Sequence, residues 1–345
     1  MTMVNSEAAP QKTSAEDYRR SSASLQVLLS NEFGLLTLII VAAIIFAATL
    51  PSFTSPFSLF TLSRQIGIDT MIGLSMMAVI VSGGLDLSVG AIGTSAAMAF
   101  GFFAERLGIS LILCVPAALV FGAMLGGING WVIVRSGVHS FIITLASLSI
   151  FFGVMIYLTK AEAFRNLPLE VTAFGRMKAF GPVSVLLVTT LGVCGGLLVL
   201  YRLTRLGREM LAAGANPRAA ELSGVPVGRT IIACHMLTGA LAAAAGLMLT
   251  ARTGAAVPSM AGQLGQDWLL PAFLAPVLGG TLLTGGRVSV IGTLLGATFV
   301  TVTTSGLLLM RVSEFWVQAV LGFMLLAAVL IDRARHTILR ARGMV

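Results

Sequence analysis

Residues 110–134 read SLILCVPAALVFGAMLGGINGWVIV, a run with no charged side chain. As a helix it is long enough to cross the roughly 30 Å hydrocarbon core of a bilayer. A membrane-spanning strand would instead alternate over only about 10 residues. Comparable runs of roughly 16–25 residues, against the roughly 20 a spanning helix needs, fall at 35–50, 66–82, 88–104, 138–159, 182–201, 230–251, 268–283, 288–309 and 314–331. The expected fold class is therefore all-α, a polytopic membrane helix bundle of about 10 transmembrane helices. Composition excludes an ordinary soluble enzyme. Hydrophobic residues make up 57% of the chain and charged ones 10%, where soluble domains average about 25% charged.

The charges that remain set the expected orientation. The net charge is +8, but the Lys and Arg residues lie between spans, which is a topology bias and no sign of a nucleic-acid partner. Short segments and the C-terminal tail hold most of them, including Arg135, Arg202, Arg205, Arg208, Arg218, Arg229, Arg287, Arg333 and Arg335. Both termini are thus expected in the cytoplasm, in keeping with an even span count. The segment 160–181 runs against this bias, with Lys160, Arg165, Arg176 and Lys178 against Glu162 and Glu170. The expected organisation is a disordered cytoplasmic tail over 1–33, a transmembrane domain over 34–331 with a cytoplasmic loop at 202–229, and a basic tail over 332–345. No cleaved signal peptide is expected before the first span.

Several spans look broken. The run 66–82 ends on Gly83-Gly84, and 88–104 starts directly after it. The run 268–283 carries Pro271 and Pro276. Gly/Pro-interrupted segments are where transporters place a pathway, because unwound backbone needs water or protein partners. Two glycine corners look alike: Ser82-Gly83-Gly84 with Ile92-Gly93-Thr94, and Thr284-Gly285-Gly286 with Ile291-Gly292-Thr293. Asp86 and Ser88 precede an apolar helix, where either would cap its free N–H groups. An ionisable group near the membrane interior is also a functional candidate, so Gly83, Gly84, Asp86 and Ser88 are candidates for the translocation pathway, and Asn129 for the pathway or a helix contact. Asp69 is a weaker case. Gly122, Gly126 and Gly130, and Gly292 with Gly296, form small-residue stripes that let helices approach closely.

Cys114, Cys194 and Cys234 lie in apolar runs and read as small buried hydrophobes. The three histidines, His139, His235 and His336, are scattered, so no metal site is expected. The three lysines, Lys12, Lys160 and Lys178, lie in no phosphate-binding loop. Zinc-protease and nucleophile-elbow motifs are missing as well. No catalytic residue is expected.

The loop Tyr201–Pro226 is the most informative polar segment. Asn216 suits an N-cap with Pro217 at the first helical position. Arg218 to Ser223 then form a short helix, Gly224 suits a left-handed stop, and Pro226 prevents continuation. Such a helix is suited to a groove on a partner protein.

Taken in order, three segments carry a resemblance to the permease subunits of bacterial ABC importers for monosaccharides, the ribose/xylose/arabinose type. They are Gly83-Gly84-Leu85-Asp86-Leu87-Ser88-Val89-Gly90, the loop from Gly207-Arg208 through Asn216 to Val225, and Leu278-Gly279-Gly280-Thr281 with Thr284-Gly285-Gly286-Arg287 and Gly292-Thr293. The resemblance spans residues 35–335. It implies that Arg208, Glu209, Gly214, Asn216, Pro217, Arg218, Glu221, Ser223 and Gly224 face a separate ABC ATPase subunit, with Arg208 and Glu209 as an ion-pair rim. It further implies a second permease subunit, a periplasmic sugar-binding protein, ATP and Mg used only by the partner ATPase, and a place in the bacterial inner membrane. The stretch Gly265-Gln266-Asp267-Trp268-Leu269-Leu270-Pro271-Ala272-Phe273 departs from the Glu-Leu-Asp-Ala-Ile-Ala-Ala pattern similar permeases carry before their counterpart of Gly279. Nucleoside, polyol or furanose cargo stays open on sequence grounds. An ion-driven secondary transporter would have only Asp69, Asp86 and Asp267 to bind its ion.

Overall fold

The computed structural model describes residues 31–341. Thirteen helices appear among the described residues: α1 (Asn31–Thr49), α2 (Pro56–Ile80), α3 (Val89–Gly101), α4 (Leu111–Ser136), α5 (Ser140–Thr159), α6 (Leu169–Arg176), α7 (Val185–Leu203), α8 (Arg205–Ala215), α9 (Pro217–Leu222), α10 (Val227–Thr253), α11 (Leu269–Leu278), α12 (Val290–Leu309) and α13 (Glu314–Ala341). Two short antiparallel strands, β1 (Lys178–Phe180) and β2 (Val183–Ser184), precede α7. The expected N-terminal tail falls outside the described residues up to residue 30. At the other end α13 carries the chain on as helix through most of the expected basic tail.

Each expected apolar run lies on a helix. Six helices (α1, α4, α5, α7, α10 and α12) are long and apolar enough to cross a membrane. The others differ for local reasons. α2 starts ten residues before the expected 66, because Ser55 caps it, accepting from Ser58 N at 3.2 Å, with Pro56 at the first turn. α3 breaks into a π-turn at Phe102–Arg106. α11 is a ten-residue half-helix. The polar segments also hold α6, the β1–β2 hairpin and α8, none of which the hydropathy reading anticipated.

The bundle is organised around α2 and α10. Every residue of α2 from Met71 to Ile80 is buried. α10 packs along α4, α2 and α3, while α11 and α12 close the far side of α2. The outer helices turn large apolar side chains outward, among them Ile44, Ile112, Leu145 and Leu158. That belt suits a lipid solvent.

Helix approach is set by missing side chains. A Cβ on Gly122 would stand 2.5 Å from Gly239 O, one on Gly126 2.0 Å from His235 O, and one on Gly130 2.8 Å from Ile232 Cα. The first stripe therefore packs α4 onto α10 within one chain. Gly292 and Gly296 do the same against Gly279 O and Ala275 O, at 2.0 and 2.1 Å. Gly126→Val is expected to force α4 off α10 at a cost of about 1–3 kcal/mol or more. A lowered unfolding temperature of the detergent-solubilised chain checks this, with Gly195→Ala, which meets nothing within 4 Å, as the neutral control.

Candidate functional site

Between α2 and α3 the chain stays unwound from Val81 to Ser88, and the neighbours satisfy its backbone. Leu85 N donates to Ser140 Oγ at 2.9 Å and Leu87 N to Thr144 Oγ1 at 3.1 Å, both on α5. Thr144 Oγ1 in turn donates to Leu85 O at 3.3 Å. Buried irregular backbone is tolerated only with such partners.

Asp86 lies at the centre of a buried polar network, in which Asn129 Oδ1 is left without a partner. Its Oδ1 accepts from Ser88 N at 2.9 Å and Ser88 Oγ at 2.5 Å. Asn129 Nδ2, on α4, donates to Ser88 Oγ at 2.8 Å. His235 Nδ1, on α10, stands 3.2 Å from Asp86 Oδ2. Asp86, Ser88 and Asn129 are fully buried and His235 is 1% exposed. Three of the sequence candidates are thus brought together, and they tie α3, α4 and α10 to one another without facing an open cavity. The expected helix cap is not formed: Ser88 occupies the N-cap position of α3 with no side-chain bond to the helix, because the Asp86 carboxylate is turned to Ser88 and His235. His235 was the residue missed. It sits in the third turn of a long apolar helix, and an ionisable group there was the available signal.

Gly83 and Gly84 lie one step away, where the two glycine corners meet face to face. A Cβ on Gly285 would stand 2.6 Å from Gly83 N, and one on Gly83 3.1 Å from Thr284 O. Both glycines have positive φ, +89° and +78°, a conformation that only glycine adopts cheaply. Gly286 N donates to Val81 O at 2.9 Å.

The loop after α7 packs straight onto this junction. A Cβ on Gly214, in the last turn of α8, would stand 1.8 Å from Val81 O and 2.6 Å from Gly286 N. α8 is capped by Thr204, whose Oγ1 accepts from Gly207 N at 3.1 Å. It buries Met210 and Ala213 and exposes Arg208. α9 follows as the sequence predicts: Asn216 Oδ1 accepts from Ala219 N at 3.0 Å, and Gly224 takes φ +82°. Only Ala220 is buried on α9, while Pro217, Arg218, Glu221 and Leu222 are exposed, as are Asn216 and Ser223 at its ends. Leu222, 87% exposed, projects an apolar tip. Arg208 and Glu209, expected at the rim of the partner-facing loop, each have an intrachain contact. Glu209 Oε1 accepts from Arg205 Nε at 2.7 Å, one helical turn away, and Arg208 reaches back to Leu203 O. Adjacent helix residues point in different directions, whereas i and i+4 share a face.

A family model described as "Branched-chain amino acid transport system / permease component" matches residues 58–329. The chain belongs to this permease family. Among similar proteins, the permease is 37% identical over 306 residues to the ribose import permease protein RbsC of Bacillus subtilis, covering 88% of this chain and 91% of that one. It is 34% identical over 289 residues to the fructose import permease protein FrcC of Rhizobium meliloti, covering 81% and 79%. It is 30% identical over 381 residues to the xylose transport system permease protein XylH of Haemophilus influenzae, covering 91% and 98%. No solved structure matches the permease closely enough to count.

Proposed function

We propose that the chain is the membrane subunit of an ATP-binding-cassette importer for a monosaccharide, working by alternating access. The observation that carries this reading is the contact of α8 with the glycine junction. A short capped helix exposed to a partner is joined, through Gly214, to the corner where two broken spans meet. Movement of α8 and α9 by a bound ATPase therefore reaches Val81, Gly83 and Gly286 through backbone contacts alone. The sugar class rests on the ribose, fructose and xylose permeases, each similar over most of its length.

In this reading Asn216 to Gly224, with Arg208 and Glu209, form the cytoplasmic face that meets the ATPase, and ATP with Mg is used there and not by this chain. Gly83 and Gly84 form the hinge of the inner gate, while Asp86, Ser88 and Asn129 hold its frame. With about ten spans and both termini in the cytoplasm, the segment 160–181 lies on the periplasmic side, where a sugar-binding protein docks. A second permease subunit completes the pathway in the inner membrane. ATP shifts the population between inward- and outward-open states, and the cargo undergoes no covalent change.

The test is co-purification of the tagged chain from native membranes in mild detergent, followed by Glu221→Lys. Recovery of a P-loop ATPase supports the importer. Glu221→Lys is expected to cut coupled uptake about tenfold, a charge-reversal effect near 1.4 kcal/mol, with unchanged membrane insertion. Normal uptake by this variant would remove α9 as the docking element, and reproducible isolation of the chain alone would sink the importer reading.

A further inference from the structure

The far half of the molecule contains a second polar constellation, separate from the Asp86 network. It lies between α2, α10, α12 and the irregular segment before α11, around a cavity of about 270 Å³. Its polar wall consists of Gln65, Asp69, Arg252, Asp267 and Thr304, and Trp268 contributes an aromatic face. Asp69 is held in place from two sides. Gln65 Nε2 donates to its Oδ1 at 2.7 Å and Thr301 Oγ1 to its Oδ2 at 2.8 Å. Arg252 Nη1 in turn donates to Gln65 Oε1. Asp267 is exposed, and its backbone N donates to Ala261 O at 3.1 Å, while its carboxylate has no hydrogen-bond or ion-pair partner among the described residues.

Depth makes this unusual. Gly265 rests on the backbone of Gly90 and Ala91, and Trp268 lies against Gly93, which also abuts Ala242 O in the middle of α10. Gln263, Gln266 and Asp267 are therefore exposed at about mid-membrane height, where a charge facing lipid is costly. That surface must face water or protein. A neighbouring cavity of about 430 Å³ shares Gln65, Arg252 and Thr304 and runs past Phe53 and Ser58 towards the end that carries the β1–β2 hairpin. In its wall the buried Thr61 hydroxyl has no partner. The two cavities lie on either side of the shared Gln65, Arg252 and Thr304, in line from that end to Asp69 and Asp267.

We propose that this region contains a transient monosaccharide site, in which Asp69 and Asp267 accept from sugar hydroxyls, Gln65 and Arg252 donate to them, and Trp268 lies against the ring's C–H face. The chemistry selects the ligand class. Two carboxylates against one guanidinium already engaged with Gln65 disfavour an anion. Donors and acceptors side by side suit a neutral polyol, and the mixture of apolar walls with few fixed polar groups is that of small-molecule sites. Trp268 is the one aromatic side chain in that lining, and an indole supplies the flat apolar surface a sugar ring can use. The proposal rests on the importer reading and extends it to named residues.

The experiment uses the full chain with Trp131→Phe and Trp316→Phe. Both tryptophans are exposed, so Trp268 remains the only indole of the 3. Emission is titrated with D-ribose, D-xylose, D-fructose, L-leucine and sodium chloride. A saturable response to at least one sugar is expected, with an apparent Kd on the order of 1 mM. It should weaken at least tenfold in Asp69→Asn and in Asp267→Asn, with unfolding temperature as the folding control. A response to leucine or to sodium alone overturns the proposal in favour of an amino-acid or cation site. In parallel, uptake is measured in proteoliposomes with the ATPase and binding protein that co-purify with the chain. Asp69→Asn with Asp267→Asn is expected to lower uptake of that sugar at least tenfold. Wild-type uptake by the double variant overturns the sugar site while leaving the importer standing. Failure of the unmodified chain to import any of the three sugars removes the monosaccharide cargo from the proposed function instead.

Discussion

Gly214→Val is expected to abolish ATP-driven uptake. The glycine's Cβ position lies 1.8 Å from Val81 O and 2.6 Å from Gly286 N, so the new side chain meets backbone on two sides. Neither neighbour relieves the clash by changing rotamer. The Gly286 N to Val81 O bond of 2.9 Å lies directly in its way. Overpacking costs about 1–3 kcal/mol or more, and a lost backbone bond adds about 1 kcal/mol. The cost falls where Gly214, with Ala215 beside it, packs the loop onto the broken spans. Uptake in proteoliposomes should fall well beyond tenfold, while Gly195→Ala on α7, in open space, leaves it unchanged. Wild-type uptake by Gly214→Val would mean that the loop and the glycine junction move independently.

Asp86→Ala should have the largest effect on stability. It leaves Ser88 N, Ser88 Oγ and His235 Nδ1 without their acceptor in a site closed to water. Each buried donor left without its acceptor costs about 1–3 kcal/mol, because it stays desolvated and unpaired. Thermal unfolding in detergent reads this directly. Adding His235→Ala to Asp86→Ala should cost less than His235→Ala alone, since the two residues share one interaction. Strictly additive losses would show that His235 and Asp86 act separately.

Much of the bundle was legible in hydropathy, because bilayer thickness imposes a length that single runs reveal. Local capping chemistry was equally readable: Asn216, Pro217 and Gly224 fix α9 from adjacent residues. The Asp86 network was less accessible. Ser88 and Asn129 are 41 residues apart and Asp86 and His235 are 149 apart, and no local pattern pairs them. α8 was obscured by its Arg-rich composition, although Thr204 and the spacing of Leu206, Met210 and Ala213 mark a capped amphipathic helix. The stretch from Gly265 to Phe273 shows only Pro271 and a lone Asp as signals in sequence. Its cavity depends on how α2, α10 and α12 surround it.

The segment leading into α11 also bears on how the chain is made. Gly262, Leu264 and Gly265 hold left-handed φ values of +77°, +57° and +77°, and Gln263, Gln266 and Asp267 remain exposed beside them. Such a stretch has too little helical hydrogen bonding and too much polarity to partition into lipid by itself. It rests on Gly90 and Gly93 and, through Gly93, against the middle of α10, so those helices must be inserted and paired before it settles. Biogenesis is therefore ordered, with the α3–α10 cradle ahead of the kinked 3-10 turn that rests on it. Lesions in the cradle should then appear first as chains cleared by quality-control proteases, before any change in turnover rate is measured.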